Sequence, residues 1–159
     1  MLKRCHSAGY LSNRPTYIGC RVASEWLKFS SFRSWMDAQD WKGNHLDKDV
    51  LMPGNKVYAP EVCVFIPRVL NNFLNECGRA RGEWPLGVYW NKPSRKFMAQ
   101  CNNPFTGKQE NLGLFDFPEA AHEAWRARKH EHAMRYADQQ SDQRIAEALR
   151  ARFAKRGEE

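Results

Sequence analysis

No stretch of this chain approaches the roughly 18 consecutive apolar residues of a membrane-spanning helix, so no such span is expected. Met1-Leu2-Lys3-Arg4 runs on into polar residues rather than an apolar core, so no secretory leader is expected either. There is no Cys-x-x-Cys pair: the five cysteines, Cys5, Cys20, Cys63, Cys77 and Cys101, are odd in number and scattered. That pattern argues against a disulfide framework and for reduced thiols in the cytoplasm or nucleoid of a bacterial cell. Cys5, His6 and Cys20 could contribute to a zinc site with Cys63 or Cys77, but buried free thiols are the expectation and zinc is not. Internal repeats and low-complexity tracts are lacking as well.

What is present is compact and basic. The 159 residues suffice for one ordinary domain or two very small ones. An apolar fraction of 42% and six tryptophans are enough for a packed core built on large rings. The formal charge of +7 and pI near 9.3 point to a polyanionic partner, with a basic protein lacking such a partner as the alternative.

Along the chain, residues 1–20 read as irregular, punctuated by Gly9, Asn13, Pro15 and Gly19. Val22, Trp26, Phe29, Phe32 and Met36 fall at near-helical spacing, with Ser30 or Ser31 as a cap for a helix over 32–38 and the aromatics as core. Residues 46–58 read as a hairpin: a strand over 46–51, a turn at Pro53-Gly54-Asn55 and a return strand at Lys56-Val57-Tyr58. An apolar run from Val62 to Ile66, helical or extended, ends at Pro67, and a helix follows over 68–75. The Gly/Arg stretch 77–84 is the expected boundary, dividing the chain into 1–80, 81–137 and a C-terminal amphipathic helix in 138–159.

The second segment is the more informative. Strands are expected over 87–91, 96–101 and 110–115, with the turn between the last two at 102–107. Asp116, Pro118 and Glu119 then mark a helix start. Ala120, Ala121, Ala124 and Ala127 are small enough to let that helix press on the sheet beside Trp125. A three-stranded sheet with one helical face leaves the other face wet. Alternation puts Tyr89 with Asn91, and Gln100 with Asn102, on shared sides. A last helix starts near Ser141-Asp142, and its stripe of Ile145, Ala148, Leu149 and Phe153 needs its own domain or a second copy to pack on.

Gly87-Val88, Lys96-Phe97-Met98-Ala99, Leu112-Gly113-Leu114-Phe115 and Glu119-Ala120-Ala121-His122-Glu123-Ala124-Trp125 together resemble the AP2 domain over about residues 85–132. The resemblance implies a sheet face that enters the major groove of double-stranded DNA. The matching positions in AP2 domains often carry arginine, whereas here they carry Tyr89, Asn91, Gln100, Asn102, Gln109 and Asn111. Asparagine and glutamine suit adenine. Affinity would then rest more on phosphate contacts from Lys92, Arg95, Lys96 and Lys108.

The first segment is similar to the HNH endonucleases of phages. Leu46-Asp47-Lys48, Gly54-Asn55 and Tyr58-Ala59-Pro60-Glu61-Val62-Cys63 carry the likeness, with Arg4-Cys5-His6, Tyr17-Ile18-Gly19 and Trp26-Leu27-Lys28-Phe29 as a similar leader. An HNH unit followed by an AP2 domain is a recurring pairing in phage homing endonucleases. The resemblance implies Mg²⁺ or another divalent cation and a histidine general base. Lys48 stands at that histidine's position, and an ordinary lysine is protonated near neutrality. Asp47, Lys48, His45 and Asn55 are the candidate catalytic residues, with Asp47 and Asp49, read as strand neighbours on one face, as candidate metal ligands. Cys63 or its neighbour stands where the last site residue belongs.

Three readings of an α+β chain follow: a double-stranded DNA-binding protein with a degenerate nuclease site; an active metal-dependent endonuclease or nickase; and a phage-encoded protein redeployed to bind a host protein or RNA complex. For the last, Arg144, Arg150, Arg152, Lys155 and Arg156 on the C-terminal helix could dock on an acidic partner, or the helix could pair with a second copy.

Overall fold

Short helices open the chain where irregular structure was expected: α1 (Leu2–His6) and α2 (Ala8–Asn13), then a 3-10 turn at Pro15–Tyr17. The computed structural model describes residues 1–75 and 83–154 as an α+β fold. It divides into two units, Met1–Asn72 and Phe73–Glu159. Residues 77–82 of the Gly/Arg stretch, and with them Cys77, lie outside the described residues. Among the described residues no helix is long and apolar enough to cross a membrane.

In the first unit β1 (Arg21–Val22) is followed by a 3-10 turn at Ser24–Leu27 and by α3 (Phe29–Asp37). The apolar spacing from Val22 to Met36 is thus shared among a strand, a turn and a helix rather than lying on one helix. The helix starts at Phe29, with Lys28 at its N-cap, so Ser30 and Ser31 lie inside the first turn and neither caps it. Trp26 is 2% exposed and makes edge and tilted contacts with Phe32 and Trp35, their ring centroids 5.2 and 4.6 Å away. Phe29, at the start of the helix, is instead 68% exposed. The core around Trp26 gathers Cys5, Cys20, Tyr58 and Cys63, flanked by Tyr17, Val22 and Leu46. Burying such rings supplies much of the stability a small unit can have.

The expected hairpin over 46–58 does not form. Strand β2 is Asn44–Asp47, and its antiparallel partner is β4 (Val64–Pro67), in register from Asn44↔Pro67 to Asp47↔Val64. β3 (Val57–Tyr58) pairs in parallel with β1 through Arg21↔Val57 and Val22↔Tyr58. The reason lies at Asp47. Its carboxylate accepts hydrogen bonds from the backbone N–H groups of Asp49 and Val50, both at 2.7 Å, which bends the chain and withdraws those donors from any ladder. The turn at Pro53-Gly54-Asn55 is present, with Gly54 at φ +79°, but it reverses a loop rather than joining two paired strands. β4 leads directly into α4 (Arg68–Leu74).

In the second unit β5 (Val88–Asn91), β6 (Lys96–Asn102) and β7 (Gln109–Phe115) form one antiparallel sheet in that order. α5 (Pro118–Ala137) lies against one face of it, and α6 (Gln143–Arg152) packs on α5. Val88, Ala99 and Ala121 are buried between sheet and helix with Phe97, Leu112, Phe115 and Ala124 around them. Ala121 and Ala124 permit the close approach, but Ala120 and Ala127 are exposed, because on α5 they lie off the inward stripe. Pro118 occupies the first turn, as expected, yet Phe117 is the N-cap and Asp116 does not cap the helix. Asp116 instead pairs with Lys96 at 3.0 Å.

The tightest point is Gly87, at φ +76°, where a Cβ would come within 2.0 Å of the Trp125 ring. Trp125 is held there by His122, which stacks on it and whose Nδ1–H donates to the Leu86 carbonyl at 2.9 Å. One turn further along α5 the Lys129 ammonium lies 3.7 Å from the ring centre of Phe73 and 5.1 Å from that of Phe153, and donates to the Phe73 carbonyl at 2.6 Å. Asp142 caps α6 by accepting from the Arg144 N–H, and Ile145, Ala146, Leu149 and Phe153 are buried. The apolar stripe of the last helix is therefore covered within its own unit.

Candidate nucleic-acid interface

Alternation along β5–β7 sorts the side chains into two sets. Val88, Phe97, Ala99, Cys101, Glu110, Leu112 and Phe115 turn toward α5. Tyr89 and Asn91, Lys96, Met98, Gln100 and Asn102, and Gln109, Asn111 and Leu114 share the opposite, open face. Six of these were expected on the strength of the sequence to face DNA as amides or a phenol, and they do lie on one surface together with Lys96. Tyr89 is 51% and Leu114 45% exposed. Met98 and Leu114, which are cross-strand partners, were not foreseen there.

Plain alternation with Gln100 places Met98 there, and a β-bulge explains Leu114. Ala99 pairs with Gly113 and Gln100 with Asn111, so Leu112 is an extra residue on β7. Gly113 takes φ +122°, and its N–H donates to Asn111 Oδ1 at 3.1 Å. Strict alternation from Asn111 would have put Leu114 inside and Phe115 outside. The bulge reverses both. The signal available in the sequence was the lone glycine in a strand.

Cations lie at the ends of this face. Lys92 and Arg95 are exposed in the β5–β6 turn, where Arg95 adopts φ +52° and Asn91 Oδ1 accepts from the Ser94 N–H at 3.2 Å. Lys108 is exposed in the turn at the opposite end. No strand residue gives the open face a carboxylate; the one at its edge, Asp116 just after β7, is paired with Lys96 at 3.0 Å. Glu110, the only acidic residue in the three strands, points to the helix side. There its carboxylate accepts from Asn103 Nδ2 at 2.8 Å and meets His132 Nε2 at 3.3 Å, with Arg128 at 3.7 Å. The Asn103 hydrogen bond, reinforced by Arg128 and His132, holds the Glu110 carboxyl below its usual range. Burial lowers the affinity of His132 for a proton, and Glu110 opposes that effect.

The candidate catalytic residues of the first unit are brought together by a loop lock rather than an open cleft. Lys48 is 7% exposed. Its ammonium donates to both oxygens of Asp49, at 2.8 and 2.7 Å, and to the Asn55 carbonyl. An ammonium has three N–H donors, so these three acceptors occupy it fully. Asn55 answers by donating from Nδ2 to the carbonyls of Lys48 and Val57 at 2.8 and 2.7 Å, while its Oδ1 accepts from the Val57 N–H. His45 is exposed on β2 and shares a strand side with Asp47. Asp49 lies beyond the end of β2, so it is not a strand neighbour of Asp47, as the sequence had suggested.

Both candidate metal ligands already have partners. One Asp47 oxygen is held by two backbone N–H groups, and the Asp49 carboxylate is held by a cation already. Among the described residues no three His, Cys, Asp or Glu side chains gather in an arrangement that could hold a metal ion. Cys63 is fully buried, and burial pushes its thiol up to about 12. Cys5 and Cys20 are buried free thiols in the same core. The Tyr58 hydroxyl, hydrogen-bonded to Arg4, is likewise pushed above its usual value by burial.

Comparison with protein families, curated proteins and solved structures finds no match to this chain.

Proposed function

We propose that the protein binds double-stranded DNA through the open face of β5–β7, in the manner of an AP2 domain, and that the first unit is an HNH-like scaffold without hydrolytic activity. The observation that carries this reading is the sorting of charge on the sheet. The strands' only carboxylate is turned inward and neutralised, while amides, a tyrosine and a lysine remain on a face flanked by Lys92, Arg95 and Lys108. The one carboxylate beside this surface, Asp116, is paired with Lys96, and the cations of the turns can reach phosphates while strand residues reach base edges. The loop lock supports the second half of the proposal. Water activation needs a group that can accept a proton, and Lys48 offers only donors that are already committed.

Two measurements on the full chain test it. Affinity for duplex DNA should fall steeply with salt, with a slope of about −0.9 per phosphate neutralised, and supercoiled plasmid should survive incubation with Mg²⁺ or Mn²⁺. Absence of binding at low salt would refute the DNA reading. Nicking that disappears in Asp47→Ala would instead establish the nuclease alternative.

A further inference from the structure

The open face holds two kinds of base-reading side chain in separate rows. Asn102 lies opposite Gln109, and Gln100 opposite Asn111, at one end of the β6–β7 ribbon. Met98 lies opposite Leu114 in the next row along. The amides are not equivalent. Asn91 and Asn111 commit their carbonyl oxygens to the backbone, one closing the β5–β6 turn and the other pinning the bulge. A bidentate contact to adenine needs an acceptor for N6–H and a donor for N7 from one amide. Gln100, Asn102 and Gln109 meet that need. The contact from Gln100 Nε2 to Met98 Sδ, at 3.7 Å, is to a weak acceptor and is readily exchanged. The apolar row offers what a thymine methyl takes; of guanine's usual partners, arginine is lacking from the strands and the one lysine of the face, Lys96, is engaged by Asp116.

We infer that this face selects A·T-rich sites from the major groove, with Gln100, Asn102 and Gln109 reading adenine and with Met98 and Leu114 covering thymine methyls. The inference rests on the DNA-binding reading above. Asn91 and Asn111 are then positioning residues that hold the turn and the bulge. The geometry sets the site's rhythm too. Successive residues on one side of a strand are separated by about 6.8 Å, against a rise of about 3.4 Å per base pair. A ribbon following the groove therefore places its amide rows and its apolar row about two base pairs apart.

The test is selection of bound sites from randomised duplexes with the full chain, followed by anisotropy on the selected site with two altered bases. Replacing adenine by 7-deazaadenine removes N7. Replacing thymine by uracil removes the methyl. The selected sites should be A·T-rich, and 7-deazaadenine should weaken binding about tenfold or more, in keeping with about 5- to 150-fold for a bidentate contact. Uracil should weaken binding about threefold, and Leu114→Ala should reduce that sensitivity without changing the response to 7-deazaadenine. Selection of guanine-centred sites, or indifference to 7-deazaadenine in a protein that still binds duplex tightly, would overturn the inference and leave DNA binding standing. If no site is enriched and no duplex is bound at low salt, the DNA reading itself falls.

Discussion

Gly87 was part of the motif that first suggested a sheet, but its physical role becomes clear only beside Trp125, 38 residues later in the sequence. Two demands meet there: a positive φ, and a backbone with no Cβ under an indole. Gly107 has only the first, since at φ +68° it has nothing within 4 Å of where a Cβ would stand. Gly87→Ala should therefore cost about 3 kcal/mol or more, strain and overpacking together, whereas Gly107→Ala should cost about 1 kcal/mol. Urea unfolding followed by tryptophan fluorescence measures both. Equal costs would mean that Trp125 moves aside freely. Lys48 makes a contrasting point. Its identity was readable as a misfit for a general base, but its use was not. That a lysine, three residues beyond the exposed His45, is buried and holds a loop shut depends on an Asn55 carbonyl seven positions away. Spacing alone could not show that contact.

β5, β6 and β7 came through within a residue of their expected bounds because alternation, turn residues and a glycine-bounded start all agree there. The first unit did not, for a definite reason. Its strands are two to four residues long and pair with distant partners, β1 with β3 and β2 with β4, so no local pattern encodes the pairing. Proximity in sequence suggested a hairpin, and the Asp47 carboxylate prevented it. The packing of α5 on the sheet was expected, but the Glu110–His132 pair between β7 and α5 was not, since the two are 22 residues apart. It has a consequence for stability. Both groups release their protons more readily in the folded unit than as ordinary side chains. The unfolded chain therefore binds more protons, and stability falls as pH falls. His132 contributes first: its share is present above the ordinary imidazole value of about 6.5 and is lost as pH drops through its lower folded value. Glu110 follows in the carboxylate range. Denaturant unfolding should show the wild type losing stability between pH 7.5 and pH 5, and His132→Gln should flatten that decline. An unchanged slope in the variant would mean that the pair does not govern the acid response. The amphipathic α6 was recognisable from its stripe, and α5 supplies the surface that the stripe required.

For the molecule as a whole, the formal charge of +7 and the sheet work together. On the proposed reading, charge would draw the protein toward a polyanion, and the sorted face would determine what is read. The sequence disclosed the excess of lysine and arginine and the amides of the three strands. It did not disclose that the strands' one carboxylate is turned inward, or that a bulge brings Leu114 to the surface. These are properties of register, and register is fixed by packing on α5. The most direct test is therefore to place negative charge on the open face without touching the core. Gln100→Glu combined with Gln109→Glu puts two carboxylates where base edges and phosphates would lie, and both side chains stand clear of the helix side. Fluorescence anisotropy on an A·T-rich duplex at low salt should show affinity reduced at least about tenfold, a loss of about 1.4 kcal/mol, with the circular dichroism spectrum unchanged. Affinity equal to that of the wild type, in a protein that folds normally, would mean that DNA does not meet this face.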